Sequence, residues 1–201
     1  MTPVDEPAQL LFPHAQLRAR IRELGAELTA ELGDTPEPPL LVGVLKGSSF
    51  FFADLIRTLA MPIAVDFMSI SSYSAAGTQS GVVRIVKDLE GDITGRDVVI
   101  VEDIVDTGLT LNYLRRTLGA RHPRSLRAVT LLDKAVRRIV PVPLEMSGFD
   151  TPDVFVVGYG LDFQGLYRNV PDILAVKDLA RLANDPKLLV SSLFGSSGTP
   201  G

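Results

Sequence analysis

The sequence predicts an α/β fold built on a central, mostly parallel sheet flanked by helices, and three observations predict it. Two stretches repeat the order strand, loop, helix: "LLVGVL" (40–45) followed by "SSFFFADLIRTLA", and "GRDVVIVEDIVDTGLTLNYLRRTLGA" (95–120). A third, "SLRAVTLLDK" (125–134), supplies another strand. The run Val98 to Val101 is continuously β-branched, as in strands buried on both faces, and a sheet of that kind needs helices over both faces. The chain has 201 residues, 46% of them hydrophobic, which suits one domain with a sizeable core.

The elements follow in order. From Ala15 to Leu32 the residues Leu17, Ile21, Leu24, Leu28 and Leu32 recur at spacings of three and four, the stripe of an amphipathic helix. "GDTPEPP" breaks the chain before the strand at 40–45. The serines that open "SSFFFADLIRTLA" predict a side-chain cap for its helix. "IAVDFMSISSY" (63–73) and "GVVRIVKDL" (81–89) are β-rich and separated by "SAAGTQS", which predicts a paired extension with a mobile tip. Glu102 and Asp103 are expected where the central strand leaves the core, and Gly119 is expected to end the following helix. "RRIVPVPLEMSG" carries two prolines and no helical period, while "DVFVVGYG" and "ILAVKDL" predict two late, short strands. A single domain over 1–190 is expected, with a small hood from the N-terminal segment and residues about 140–180. Residues 191–201, ending "GSSGTPG", are expected as a disordered tail.

Composition excludes several chemistries. There is no cysteine, so disulfides, thiolate metal sites and cysteine nucleophiles are absent. The two histidines, His14 and His122, lie far from each other and from the acidic stretch, which leaves a histidine triad without support. A net charge of −4 argues against a broad nucleic-acid footprint. No apolar run reaches the ~18 residues of a membrane span, and no leader pattern opens the chain, so a cytoplasmic protein with neither nucleic-acid nor membrane partner is expected.

Ligands of such sheets collect at the carboxyl ends of the strands, which draws attention to "KGSS", "EDIVDTGLT" and "DK". In the second of these, Glu102, Asp103 and Asp106 precede "DTGLT", which offers two hydroxyls, a glycine and the first amides of a helix. Those amides and the helix dipole favour a phosphate. Acids at a strand end taken alone are more often solvated caps, and the phosphate turn beside them is what raises their interest. The Walker pattern fails because no glycine stands five residues ahead of a "GK[ST]". "GYGLDFQG" fails as a dinucleotide fingerprint because its third glycine is displaced and no helical run follows. A phosphorylated sugar fits, with vicinal acids accepting from ribose hydroxyls and the turn holding a 5′-phosphate.

Four apolar residues, E-D, three more residues and T-G-L-T resemble the 5-phosphoribosyl-1-diphosphate (PRPP) motif of type I phosphoribosyltransferases. More narrowly, "LKGSSFFFADL", "ISSY", "VEDIVDTGLTL", "LLDK" and "DVFVVGYGLDFQGLYRN" are similar in order and spacing to the hypoxanthine-guanine branch of that family, above all its bacterial members. The resemblance runs from about Leu40 to Asp178. It implies a type I phosphoribosyltransferase fold and purine salvage: transfer of the phosphoribosyl group from PRPP to N9 of hypoxanthine or guanine, giving IMP or GMP and pyrophosphate.

Residue by residue, the resemblance implies that Glu102 and Asp103 bind the ribose hydroxyls and Mg2+, and that Asp106 accepts a proton at purine N7. It implies that Thr107, Gly108, Leu109 and Thr110 wrap the 5′-phosphate, and that Lys46 and Gly47 form the pyrophosphate loop, where the Leu45–Lys46 peptide is often cis. Lys134 would donate to the purine O6, Phe155 would stack on the base, and Val156 would supply backbone contacts. Asp162 would hold a second Mg2+ and approach the base, Arg168 would clamp pyrophosphate, and Ser72 and Tyr73 would belong to a closing loop. Standing alone, each has a plainer role: Lys46 as a surface lysine, Lys134 as part of the charged patch "DKAVRR", Phe155 as core, and Ser72 and Tyr73 as a hairpin tip. The family's usual assembly implies a homodimer or homotetramer. Two other functions compete: a regulator of the same fold that binds RNA or a nucleotide without turnover, and a transferase that prefers xanthine.

Overall fold

The structure, a computed structural model, describes residues 6–73 and 82–195. In chain order its elements are β1 (Ala8–Phe12), α1 (His14–Leu32), β2 (Leu40–Leu45), α2 (Ser49–Ile56), β3 (Ala64–Tyr73), β4 (Val82–Lys87), β5 (Asp97–Val105) and α3 (Leu109–Gly119). Then come β6 (Ser125–Asp133), a 3-10 turn (Ala135–Arg137), β7 (Met146–Asp150), β8 (Phe155–Val157), β9 (Ile173–Val176), α4 (Leu179–Asn184) and α5 (Val190–Phe194). The chain divides into two compact units, residues 18–153 and a second that joins 1–17 to 154–201.

The larger unit holds a six-stranded sheet in the order β4-β3-β2-β5-β6-β7. Its pairings are parallel except for β3 with β4, so the mostly parallel sheet expected from the alternating elements is present. The core is drawn from the predicted runs: Val42, Val98 and Ile100 of the central strands, with Leu111, Leu114 and Leu118 of α3, are all buried. Each such side chain contributes about 1.5–3 kcal/mol when fully withdrawn from water. On α1, Leu17, Ile21, Leu24, Leu28 and Leu32 are buried together, the stripe that the periodicity requires.

Two local expectations change. β5 does not leave the core at Glu102; it runs on to Val105 because β6 extends equally far, pairing Glu102 with Thr130 and Val105 with Asp133. Glu102 is therefore a buried strand residue, 5% exposed. The serines before α2 do not cap it. Ser48 has helical backbone angles and no side-chain cap bond; its hydroxyl donates to the Val44 carbonyl at 2.6 Å, and that of Ser49 donates to the Lys46 carbonyl at 2.6 Å. The first ties the loop after β2 to its own strand, and the second closes the loop on itself. α3 ends at Gly119, as expected, and a left-handed residue follows at His122, at φ 55°.

The smaller unit contains the antiparallel sheet β1-β9-β8. Val157, Tyr167, Val170, Leu174, Leu182 and Leu189 form its core, and the Tyr167 hydroxyl donates to the Pro186 carbonyl at 2.5 Å. Within the segment expected as a tail, residues 191–194 are helical in α5, and 196–201 lie outside the described residues. The tip "SAAGTQS" also lies outside them, as do the side chains of Ser72 and Tyr73, whose backbones end β3. Among the described residues no helix is long and apolar enough to cross a membrane.

Candidate active site

At the carboxyl ends of β2 and β5 the larger unit opens into a cavity of about 310 Å³, lined among others by Gly47, Glu102, Asp103, Asp106, Thr107, Gly108 and Thr110. The parallel pairing of β2 with β5 is the cause: it brings the loop after one strand beside the loop after the other. Leu109 is partly exposed and is not among the residues that line the cavity.

The carboxylates sit in distinct surroundings. Burial pushes the Glu102 carboxyl well above the ordinary glutamate range, and the adjacent Asp103 charge adds to the push. Its Oε1 is shielded from solvent and has no hydrogen-bond partner. Asp103 accepts from the Ile104 amide at 3.0 Å through Oδ1, and its Oδ2 faces Gly47 so closely that a Cβ there would stand 1.6 Å from it. Glycine at 47 is thus a condition of this loop approaching this acid. The Leu45–Lys46 peptide is cis, as the resemblance implied, and the Lys46 side chain is exposed.

Gly108 takes φ 83° at the N-cap of α3, in the left-handed region that glycine alone enters freely. A Cβ there would also meet the Val140 carbonyl at 2.6 Å. The first helical bond is that from Asn112 N–H to Gly108 C=O at 2.9 Å, so the amides ahead of it have no carbonyl of the helix to bond. They form a cradle with positive character, suited to a phosphate.

Lys134 follows β6, its amide donating to the Val105 carbonyl at 3.0 Å. It is buried, 6% exposed; burial lowers its pKa from the ordinary lysine range, while the charge of Asp106 works in the opposite direction. Asp106 has a close partner that the sequence did not single out. Arg137 Nε lies 2.9 Å from Asp106 Oδ1, an ion-pair contact whose N–H does not align with the oxygen, so Oδ1 remains shielded without a hydrogen bond. Arg137 Nη1 also donates to Asp153 at 3.2 Å. The only hint in the sequence was the patch "DKAVRR".

In the smaller unit, Phe155 is half-buried and meets Phe163 edge-on, ring centroids 5.7 Å apart. Val156 is buried and pairs with Ala175. Asp162 accepts from the Gly165 amide at 2.7 Å and pairs with Arg168 Nη2 at 2.6 Å. Arg168 Nη1 donates to the Gly160 carbonyl at 2.5 Å. The residues predicted for pyrophosphate and metal in this unit therefore hold each other.

Among the described residues no three His, Cys, Asp or Glu side chains gather as a metal cage. The pair Glu102 and Asp103, with one buried oxygen unpartnered, nonetheless fits Mg2+, which commonly takes one or two carboxylates and completes its shell from substrate phosphates and water.

Residues 11–164 match the model of the phosphoribosyl transferase domain family. The chain is 49% identical over 163 residues to the hypoxanthine phosphoribosyltransferase of Salmonella typhimurium, covering 81% of this chain and 92% of that one. It is 46% identical over 169 residues to the hypoxanthine-guanine phosphoribosyltransferase of Bacillus subtilis, covering 84% and 93%. The solved hypoxanthine phosphoribosyltransferase of Trypanosoma cruzi, in complex with its product IMP, superposes with a TM-score of 0.79 at 39% identity, covering 88% of this chain and 98% of that one.

Proposed function

The chain belongs to the phosphoribosyl transferase domain family, and from that premise we propose that it salvages 6-oxopurines, transferring the phosphoribosyl group of PRPP to hypoxanthine or guanine. The observation that carries the reading is the cavity that gathers Glu102, Asp103, Asp106, Thr107, Gly108 and Thr110, a carboxylate set beside an anion cradle.

In the reaction the bond from C1 of PRPP to pyrophosphate breaks, its electron pair leaving with pyrophosphate, and the purine N9 lone pair forms the new bond to C1. The purine gives up one proton, which Asp106 accepts at N7. Glu102 and Asp103 take the ribose hydroxyls. The turn amides hold the 5′-phosphate and so fix C1 against the base, which is where orientation contributes most. Gly47 with Lys46, and Arg168 once drawn from Asp162, attract the pyrophosphate charge. Phe155 stacks on the base, with the Val156 backbone beside it. Magnesium, held by Glu102 and Asp103 directly or through water, would neutralise charge developing on the leaving group, and Asp162 is the proposed contact for a second ion. Ser72 and Tyr73 belong to the proposed closing loop, a homodimer or homotetramer to the proposed assembly, and the cytoplasm to the proposed location.

Lys134 carries the choice of base. An ammonium has donors and no acceptor, so it favours a 6-oxo group over the amino group of adenine. Purified protein supplied with PRPP, Mg2+ and hypoxanthine, guanine, xanthine or adenine in separate reactions tests the whole reading. Nucleotide and pyrophosphate are expected from hypoxanthine and guanine, and none from adenine. Binding without turnover of any base would favour the regulator instead.

A further inference from the structure

The segment that follows Lys134 is bound to the backbone on both sides of Asp106. The Lys134 amide donates to the Val105 carbonyl at 3.0 Å, while the amides of Ile139 and Val140 both donate to the Thr107 carbonyl, at 3.0 and 3.1 Å. Between those anchors the 3-10 turn closes with Arg137 N–H on the Lys134 carbonyl at 2.9 Å. This bracing brings the Arg137 guanidinium to Asp106, Nε standing 2.9 Å from Oδ1.

Four charges then share one small region: Asp106 and Asp153 against Lys134 and Arg137. Asp106 Oδ1 is shielded from solvent and makes no hydrogen bond, so a cation beside it is needed to offset the cost of shielding that oxygen. Among the described residues, Arg137 and Lys134 both carry charge that bears on this group. If Lys134 served that need, its donors would turn to Asp106 and away from the base. A guanidinium is the better counter-ion, being permanently charged and weakly hydrated.

We infer that Arg137 is a positioning residue for 6-oxopurine transfer: by ion-pairing Asp106, it keeps the proton acceptor and the Lys134 donor from neutralising each other, so that both stay available to the base. The inference rests on the proposed function, and it concerns a residue whose side chain is half exposed and contributes nothing to the core.

A double-mutant cycle with Arg137→Gln and Asp106→Asn tests it, since contacts that act through one another give non-additive losses. Arg137→Gln is expected to lower kcat/KM for hypoxanthine at least tenfold, mainly through the KM for the base, with the KM for PRPP within twofold of wild type and an unchanged melting temperature. Arg137→Lys is expected to recover most of the loss. In the Asp106→Asn background, adding Arg137→Gln should change kcat/KM less than twofold. Losses that multiply, or a wild-type kcat/KM in Arg137→Gln, would overturn the inference while leaving the functional reading in place. A wild-type protein without turnover of any 6-oxopurine would overturn both.

Discussion

Replacing Glu102 by Gln should stabilise the ligand-free protein, by an amount that grows with pH. Burial and the neighbouring Asp103 raise the Glu102 carboxyl above its ordinary value of 4.5, so the folded chain holds a proton there that the unfolded chain has already released. Across the window above about pH 4.5, stability therefore falls as pH rises, by about 1.4 kcal/mol per pH unit, until the folded-state pKa is reached. Glutamine has no proton to lose. For a chain of this size 1 kcal/mol corresponds to roughly 2–4 °C in melting temperature, so the variant should gain roughly 3–6 °C on wild type for each pH unit within the window. Circular-dichroism melts of both proteins in chelator-containing buffer, from pH 5 to 7.5, measure it. Melting curves that stay parallel over that range would refute the reasoning. Mg2+ and PRPP together should then raise the wild-type melting temperature more than that of the variant, since the charge that destabilises the free protein is the one proposed to serve the bound state.

Gly47→Ala places a methyl group where the Asp103 carboxylate stands, 1.6 Å from Oδ2. Overpacking of this kind costs about 1–3 kcal/mol, and the KM for PRPP, measured by steady-state kinetics, should rise by an order of magnitude or more as the loop and the acid separate. Lys134→Ala should raise the KM for hypoxanthine and guanine with that for PRPP little changed. It should also remove a cation whose charge bears on Asp106; base kinetics equal to wild type would contradict the assignment.

Much of the fold was legible because it is written in local periodicities. The stripe on α1 and the apolar run of β2 name their own elements, and the two strand-loop-helix units imply the parallel sheet. What stayed hidden depends on partners distant in sequence. β7 lies in "MSGFD" after two prolines, with no alternation to mark it, and exists because β6 offers it an edge. β1 likewise pairs with β9, some 160 residues away in the chain. The burial of Glu102 was missed for the same reason, because the length of β5 is set by β6.

The candidate site divides along a similar line. Glu102, Asp103, Asp106 and the Thr107–Thr110 turn are contiguous, so a motif could present them together. Gly47 entered through resemblance, and its physical reason, the close approach of Asp103, needed the structure. Arg137 had no signal beyond a run of basic residues, since only the folding back of the 134–140 segment onto the turn gives it a partner.

The central claim separates three neighbouring acids into two roles, and Asp106→Asn tests it most directly. Steady-state kinetics with hypoxanthine should show kcat lowered by about 10²–10⁴, the range for loss of a positioned proton acceptor, with the KM for PRPP unchanged within a fewfold. Wild-type turnover, or a loss confined to the KM for PRPP, would contradict the account.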